Sequence, residues 1–160
     1  MIANLRILVA GTGSERVSLI LNWACSQRSK GRFRVARLLL RWLQGAYGVY
    51  IGPNAQIGKN VRFPHPVGIV IGDGVNISDD CTIYQNVTLG GARLGDAKAR
   101  SYPSIGRGTV IFAGAVIVGS IEIAENCVIG ANAFVNKDVP KGHVAVGVPA
   151  QFFRNKEVAE

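Results

Sequence analysis

Aliphatic residues recur at every sixth position over most of this chain. Ile51, Ile57 and Phe63 open the series, Ile71, Ile77, Ile83 and Leu89 hold the same step, and Ile105, Ile111, Ile117, Ile123, Ile129 and Val135 carry it on without a slip. Short residues follow four places later, among them Ala55, Val75, Cys81, Val87, Thr109, Ala115, Cys127 and Ala133, and Gly often follows one place later, as at Gly52, Gly58, Gly72, Gly106 and Gly130. A helix returns an apolar face every three or four residues and a half-buried strand every two, so a period of six calls for short strands joined by tight bends. Stacked coil on coil, each aliphatic side chain points inward and the backbone groups pair between coils. The pattern therefore predicts an all-β solenoid. A β-sandwich, with a period of two and turns about every 8 to 12 residues, does not produce this run.

Two interruptions break the step. Phe63 to Ile71 spans eight residues and contains Pro64-His65-Pro66-Val67-Gly68. Leu89 to Ile105 spans sixteen, read as two coil sides plus four extra residues, and predicts a loop over 90–104. Interruptions of a rigid repeat are where side chains are displayed, so a substrate cleft is expected between these two. Ahead of the repeats, Glu15 to Gln44 reads as helical, with Ser14 as N-cap and Gly31 as a break between two helices. The expected organisation is a basic helical segment over 1–46, a repeat body over 47–139 and a tail over 140–160.

Charge sharpens the picture of the first segment. The net charge is +8, and residues 1–46 hold eight basic residues against Glu15 alone, so 8 − 1 = +7 of it lies there. Arg32-Phe33-Arg34-Val35-Ala36-Arg37-Leu38-Leu39-Leu40-Arg41-Trp42-Leu43 is both basic and amphipathic. It reads first as a cap over the open end of the solenoid, and second as a peripheral contact with an anionic membrane. Three cysteines, Cys25, Cys81 and Cys127, have no metal-ligand spacing and fit a reducing, cytoplasmic setting; Cys81 and Cys127 fall at inward positions. Near the start, Ile7-Leu8-Val9-Ala10 is only a short apolar run, so no secretory leader or spanning segment is expected. No nucleic-acid reading module is present to make use of the basic leader.

The ordered motifs His65-Pro66-Val67-Gly68-Ile69-Val70-Ile71-Gly72, Thr82-Ile83-Tyr84-Gln85-Asn86-Val87-Thr88-Leu89-Gly90-Gly91, Asn132-Ala133-Phe134-Val135-Asn136-Lys137-Asp138-Val139-Pro140 and Gly147-Val148-Pro149-Ala150 resemble the serine acetyltransferase branch of the hexapeptide acyltransferases. The resemblance covers about Val49 to Phe152. It implies a left-handed parallel β-helix, a homotrimer, acetyl-CoA in the groove between subunits, transfer to a hydroxyl, and His65 as general base. A neutral imidazole titrates near working pH and can take the hydroxyl proton as oxygen attacks the thioester, typically for about 10² to 10⁴ in rate. His143 matches no catalytic position.

The resemblance also has departures. Tyr50 stands where the family has the Asp that orients the histidine, Pro64 where it has a second Asp, and Ser101 and Tyr102 where it has an Arg-His pair. A zwitterionic acceptor needs both charges met, so their absence favours a neutral, hydroxyl-rich acceptor, a sugar of polysaccharide biosynthesis; serine, as in cysteine biosynthesis, is the alternative, with Arg93 or Arg100 for its carboxylate. Candidate acceptor contacts are Tyr50, Tyr102, Asp73, Arg93 and Arg100. On the donor side the resemblance carries acetyl-CoA contacts onto Gly91, Gly114, Ala115, Ala131, Lys137 and Gly147, with Lys141, Arg154 and Lys156 as further phosphate partners. The small residues among them are equally what tight coils require. Of the rival readings, a zinc enzyme of the carbonic-anhydrase type needs three histidines where this chain has two, so no metal is expected. A non-catalytic scaffold is the other.

Overall fold

The computed structural model describes residues 2–99 and 101–154. Three helices lead, α1 (Ile2–Ala10), α2 (Gly13–Ser29) and α3 (Phe33–Tyr47), and the chain then enters a series of two- and three-residue strands. These form three sheets that the chain visits in turn. Face A pairs Tyr50–Ile51, Val70–Ile71, Thr88–Gly90, Val116–Val118 and Phe134–Val135; face B pairs Gln56–Ile57, Asn76–Ile77, Ser104–Ile105 and Glu122–Ile123. Face C pairs Thr82–Ile83, Val110–Ile111, Val128–Ile129 and His143–Val146, with a bridge from Arg62 to Thr82 below. Every pairing between coils is parallel, and the last strand, Gln151–Arg154, turns back antiparallel on His143–Val146.

The register explains the six-residue period. Ile71 sits over Ile51 and Leu89 over Ile71 on face A, Ile105 over Ile77 on face B, and Ile111 over Ile83 on face C. All except Ile51 are fully buried, and Ile51 is nearly so. The short positions fill the corners inside: Cys81 Sγ reaches the Gly106 carbonyl at 3.2 Å, Cys127 Sγ the Pro140 carbonyl at 3.2 Å, and buried Thr109 donates Oγ1 to the Ala124 carbonyl at 3.1 Å. Burial pushes both thiols up, so they stay protonated and inert.

The second interruption needs a correction. Thr88–Gly90 lies on face A and Ser104–Ile105 on face B, the next face round, so Leu89 to Ile105 is a single six-residue step with ten extra residues at one corner. It is not two sides plus four. Asp96–Ala99 forms a helical turn in this loop, and Asp96 Oδ2 accepts from the backbone N–H groups of Ala92 and Arg93 at 2.7 and 2.8 Å.

The helices close the open end. Val17, Ile20, Leu21 and Leu43 belong to the same buried cluster as Val49 and Ile51. The Arg28 guanidinium donates to the Pro53 and Ala55 carbonyls at 3.0 and 2.7 Å, satisfying first-coil acceptors that have no coil below them. The expected N-cap at Ser14 is corrected to Thr12, whose Oγ1 accepts from Glu15 N while Glu15 Oε2 accepts from Thr12 N at 2.7 Å, a closed capping box. The short apolar run Ile7-Leu8-Val9-Ala10 belongs to α1, a helix additional to the two expected. Among the described residues no helix is long and apolar enough to cross a membrane.

Three measurements follow from this packing. Ile117→Ala, in the centre of the stack, is expected to cost about 2 to 5 kcal/mol in urea unfolding. Arg28→Ala should cost about 1 to 2 kcal/mol by exposing the two carbonyls, whereas Arg34→Ala, at the surface of α3, should stay within about 0.5 kcal/mol. The Asn60 amide, with Arg107 at 2.7 Å, holds the Asp80 carboxyl below the usual carboxylate range. Its contribution is therefore present above the unfolded value and lost as pH falls through the lower native one. Asp80→Asn should make stability less dependent on pH in that acid window, read from melting curves.

Candidate functional site

His65 stands on the edge where face C turns into face A. Pro64 and Pro66 restrict the backbone on both sides of it, and the Val67 N–H closes a turn on the His65 carbonyl at 2.8 Å. The two extra residues of this corner push the imidazole out of the stack, where it is exposed. Gly68 brings the chain back with φ +65°, and a Cβ there would collide with Asn86 Oδ1 from the coil above. Gly114 and Asn132 repeat the relation two coils further, because a left-handed corner favours Gly or Asn and the amide of one coil covers the Cα of the other.

The ring of His65 lies 6.1 Å from that of Tyr84, tilted by 48°, and Tyr84 stacks on Phe112 at 5.1 Å and 14°. The three occupy the same edge in successive coils and form an aromatic wall beside the imidazole. Among the described residues no hydrogen bond reaches the His65 ring, and Tyr84 is the aromatic ring beside it. Sequence reasoning missed Tyr84 and Phe112 because the ten extra residues, counted across two sides, hid that they are vertical neighbours. Each directly follows an inward isoleucine, and that signal was available.

The remaining candidates fall into separate groups. Tyr50 begins face A one coil below, outward, beside Arg37, Arg41 and Gln44 of α3. Asp73 and Tyr102 lie on the other border of face A, its edge with face B. Asp73 accepts from the Asn54 backbone N–H and Nδ2 at 2.9 and 2.7 Å. Tyr102 packs its ring over Gly72 and Gly74, where a Cβ would overlap it, and so anchors the returning end of the loop. Arg93 is exposed on that loop, and Arg100 lies outside the described residues, as does Lys156.

Of the donor candidates, Gly114 and Ala131 lie on the His65 edge, and Gly91 and Lys137 on the loop edge. Gly147 follows face C with φ +95° and its carbonyl accepts from Phe134 N at 3.0 Å. Ala115 is fully buried, with its N–H on the Phe112 carbonyl and its own carbonyl taken by Thr88 N, so it can only pack. Lys137 is exposed, while Lys141 pairs with Glu125 at 2.8 Å. Gly114 and Ala131 thus place small residues on the border that also carries His65. His143 holds its Nδ1 3.0 Å from the Lys141 carbonyl, far along the chain from this edge.

Parallel hexapeptide coils with an imidazole on one edge define the class to which this chain belongs, and residues 102–137 match the model of the bacterial transferase hexapeptide (six repeats). Serine acetyltransferase of Helicobacter pylori strain J99 is 41% identical over 117 residues, 73% of this chain and 67% of that protein. The chain thus belongs to the serine acetyltransferase family of hexapeptide transferases. Soybean serine acetyltransferase complexed with serine superposes with a TM-score of 0.80 at 34% identity, covering 92% of this chain and 60% of that one. A serine acetyltransferase in complex with CoA gives 0.74 at 31%, covering 95% and 66%. The chain spans about half to two thirds of the length of the named relatives it matches.

These relatives overturn one expectation. The sugar acceptor, drawn from the charges missing at Tyr50, Pro64, Ser101 and Tyr102, does not stand against relatives at 39 to 43% identity that are named serine acetyltransferase. A zwitterion needs opposite charges near it in space, and four matched positions taken singly do not define which charges surround that space.

Gly68→Ala and Gly31→Ala form a matched pair. Both impose a left-handed alanine, costing about 1 to 2 kcal/mol, but Gly31 (φ +73°) faces open space. Gly68→Ala should cost clearly more in urea unfolding because Asn86 must also move.

Proposed function

We propose that this chain transfers the acetyl group of acetyl-CoA to the hydroxyl of serine, with His65 as general base. The observation that carries the reading is an imidazole displayed alone on a prism edge by the one two-residue insertion of the coil, in a chain whose relatives are named for this reaction. The imidazole takes the proton of the serine hydroxyl as its oxygen attacks the thioester carbonyl. The resulting tetrahedral adduct collapses with cleavage of the C–S bond, and the imidazolium returns the proton to the departing CoA sulfur. Tyr84 flanks the ring on one side, backed by Phe112 in the next coil. Asp73 and Arg93, charged groups on the opposite edge, are assigned to the ammonium and the carboxylate of serine, with Arg100 a further candidate for the carboxylate. Gly91, Gly114, Ala131, Lys137 and Gly147 are assigned to the cofactor.

In one chain these groups lie on the two borders of face A, whose outward column of Tyr50, Val70, Thr88, Val116 and Phe134 separates them. A second copy can bring its loop edge against the first copy's His65 edge, so the reading includes a cleft closed between subunits of a left-handed, trimeric coil. Three free cysteines fit a reducing cytoplasmic setting.

Release of CoA thiol, followed with a thiol-reactive dye, should depend on serine. His65→Ala should lower it by about 10² to 10⁴ with the melting temperature preserved. Equal release from wild type and His65→Ala would remove the base, and release that ignores serine would remove the acceptor.

A further inference from the structure

Helix α3 has two apolar sides, and the fold uses one. Ala36 and Leu43 are buried, with Leu40 and Tyr47 partly so, along the side that packs on α2 and the first coil. Turned away from that side, Val35, Leu38 and Trp42 follow one another at steps of three and four, with Leu38 66% and Trp42 50% exposed and one edge of the Trp42 ring against Tyr47 at 5.9 Å. Arg34, Arg37 and Arg41 run alongside, all exposed, with Arg37 and Arg41 on the border nearest Tyr50, and the helix carries no acidic residue. Exposed leucine and tryptophan bordered by arginines give a surface at once apolar and cationic.

We propose that this outer side of α3 docks on an anionic lipid bilayer, with Leu38 and Trp42 entering the headgroup boundary and Arg34, Arg37 and Arg41 meeting lipid phosphates. A helix lying in the membrane plane has this chemistry, an apolar strip bordered by Lys or Arg and an interfacial Trp. A second copy of the chain fits poorly. Pairing this face with itself sets arginine against arginine, and the described residues offer few free carboxylates to it. Glu15 is held by Thr12, Asp79 by Lys59 N, Asp80 by Arg107, Asp96 by its own loop, Glu125 by Lys141 and Asp138 by Glu122 N. With +7 of the charge in residues 1–46, an anionic surface complements this segment. Nucleic acid would meet the arginines but would leave Leu38 and Val35 in water.

The test uses the full chain and vesicles of phosphatidylcholine alone or with about one third phosphatidylglycerol. Co-sedimentation is expected only with the anionic vesicles, and to vanish near 1 M salt, where the screening length falls to about 3 Å. Arg34→Gln with Arg41→Gln should weaken binding about 25-fold, about fivefold per arginine, and Leu38→Ala with Trp42→Ala should weaken it at low salt as well. In a Trp23→Phe background, Trp42 fluorescence should shift to the blue on binding. These residues are exposed, so unchanged melting curves confirm that the variants fold. No sedimentation with anionic vesicles overturns the proposal. So does binding that survives both double variants, tighter binding to an RNA of matched charge that depends on the same arginines, or a loss of oligomer mass in Leu38→Ala with Trp42→Ala. Serine-dependent acetyl transfer is read separately, and its presence or absence leaves these outcomes untouched.

Discussion

One constraint governs the molecule: each sixth residue must return a hydrocarbon side chain to the axis while the backbone beside it stays level with the coil above. Ile71 over Ile51 and Ile111 over Ile83 show how the two demands are met together, since the same residues that stack also pair. The four residues between one two-residue strand and the next must turn a corner in very little length. Left-handed Asn and Gly residues do so, and Asn86 and Asn132 cover Gly68 and Gly114 with their amides. Faces and edges thus acquire different duties. Faces carry the ladder, whereas edges are free to carry chemistry, and His65, Tyr84 and Phe112 stand on one of them.

A coil has open ends, and closing the first one shapes the rest of the chain. Arg28 and the buried side of α2 and α3 supply the hydrogen bonds and hydrocarbon that a coil below would have supplied. A helix that caps with one side necessarily shows the other to the surroundings. In α3 that other side concentrates arginine around Leu38 and Trp42, so a structural demand and a docking surface share fifteen residues.

The acceptor shows where matching residues one by one misleads. By the resemblance alone, Tyr50, Pro64, Ser101 and Tyr102 stand at positions charged in the family, and a neutral acceptor followed from counting those losses. Tyr102 lies over Gly72 and Gly74 as an anchor of the loop, and Tyr50 leans toward α3, so neither stands beside His65 within the chain. Charge complementarity is a property of a volume, and a volume bordered by two edges of face A cannot be read from single matched positions.

The stacked coil, its helical leader, the protruding His65 corner and the family were legible in the sequence, because each depends on local spacing: a period of six, an amphipathic step of three and four, and an insertion between prolines. The placement of the long loop at one corner, the Tyr84–Phe112 wall, the burial of Ala115, the Thr12 cap and the Arg28 closure required the tertiary structure. Those features depend on which residues of different coils lie at the same height, and a ten-residue insertion changes that correspondence for everything beyond it while leaving the six-residue step itself intact.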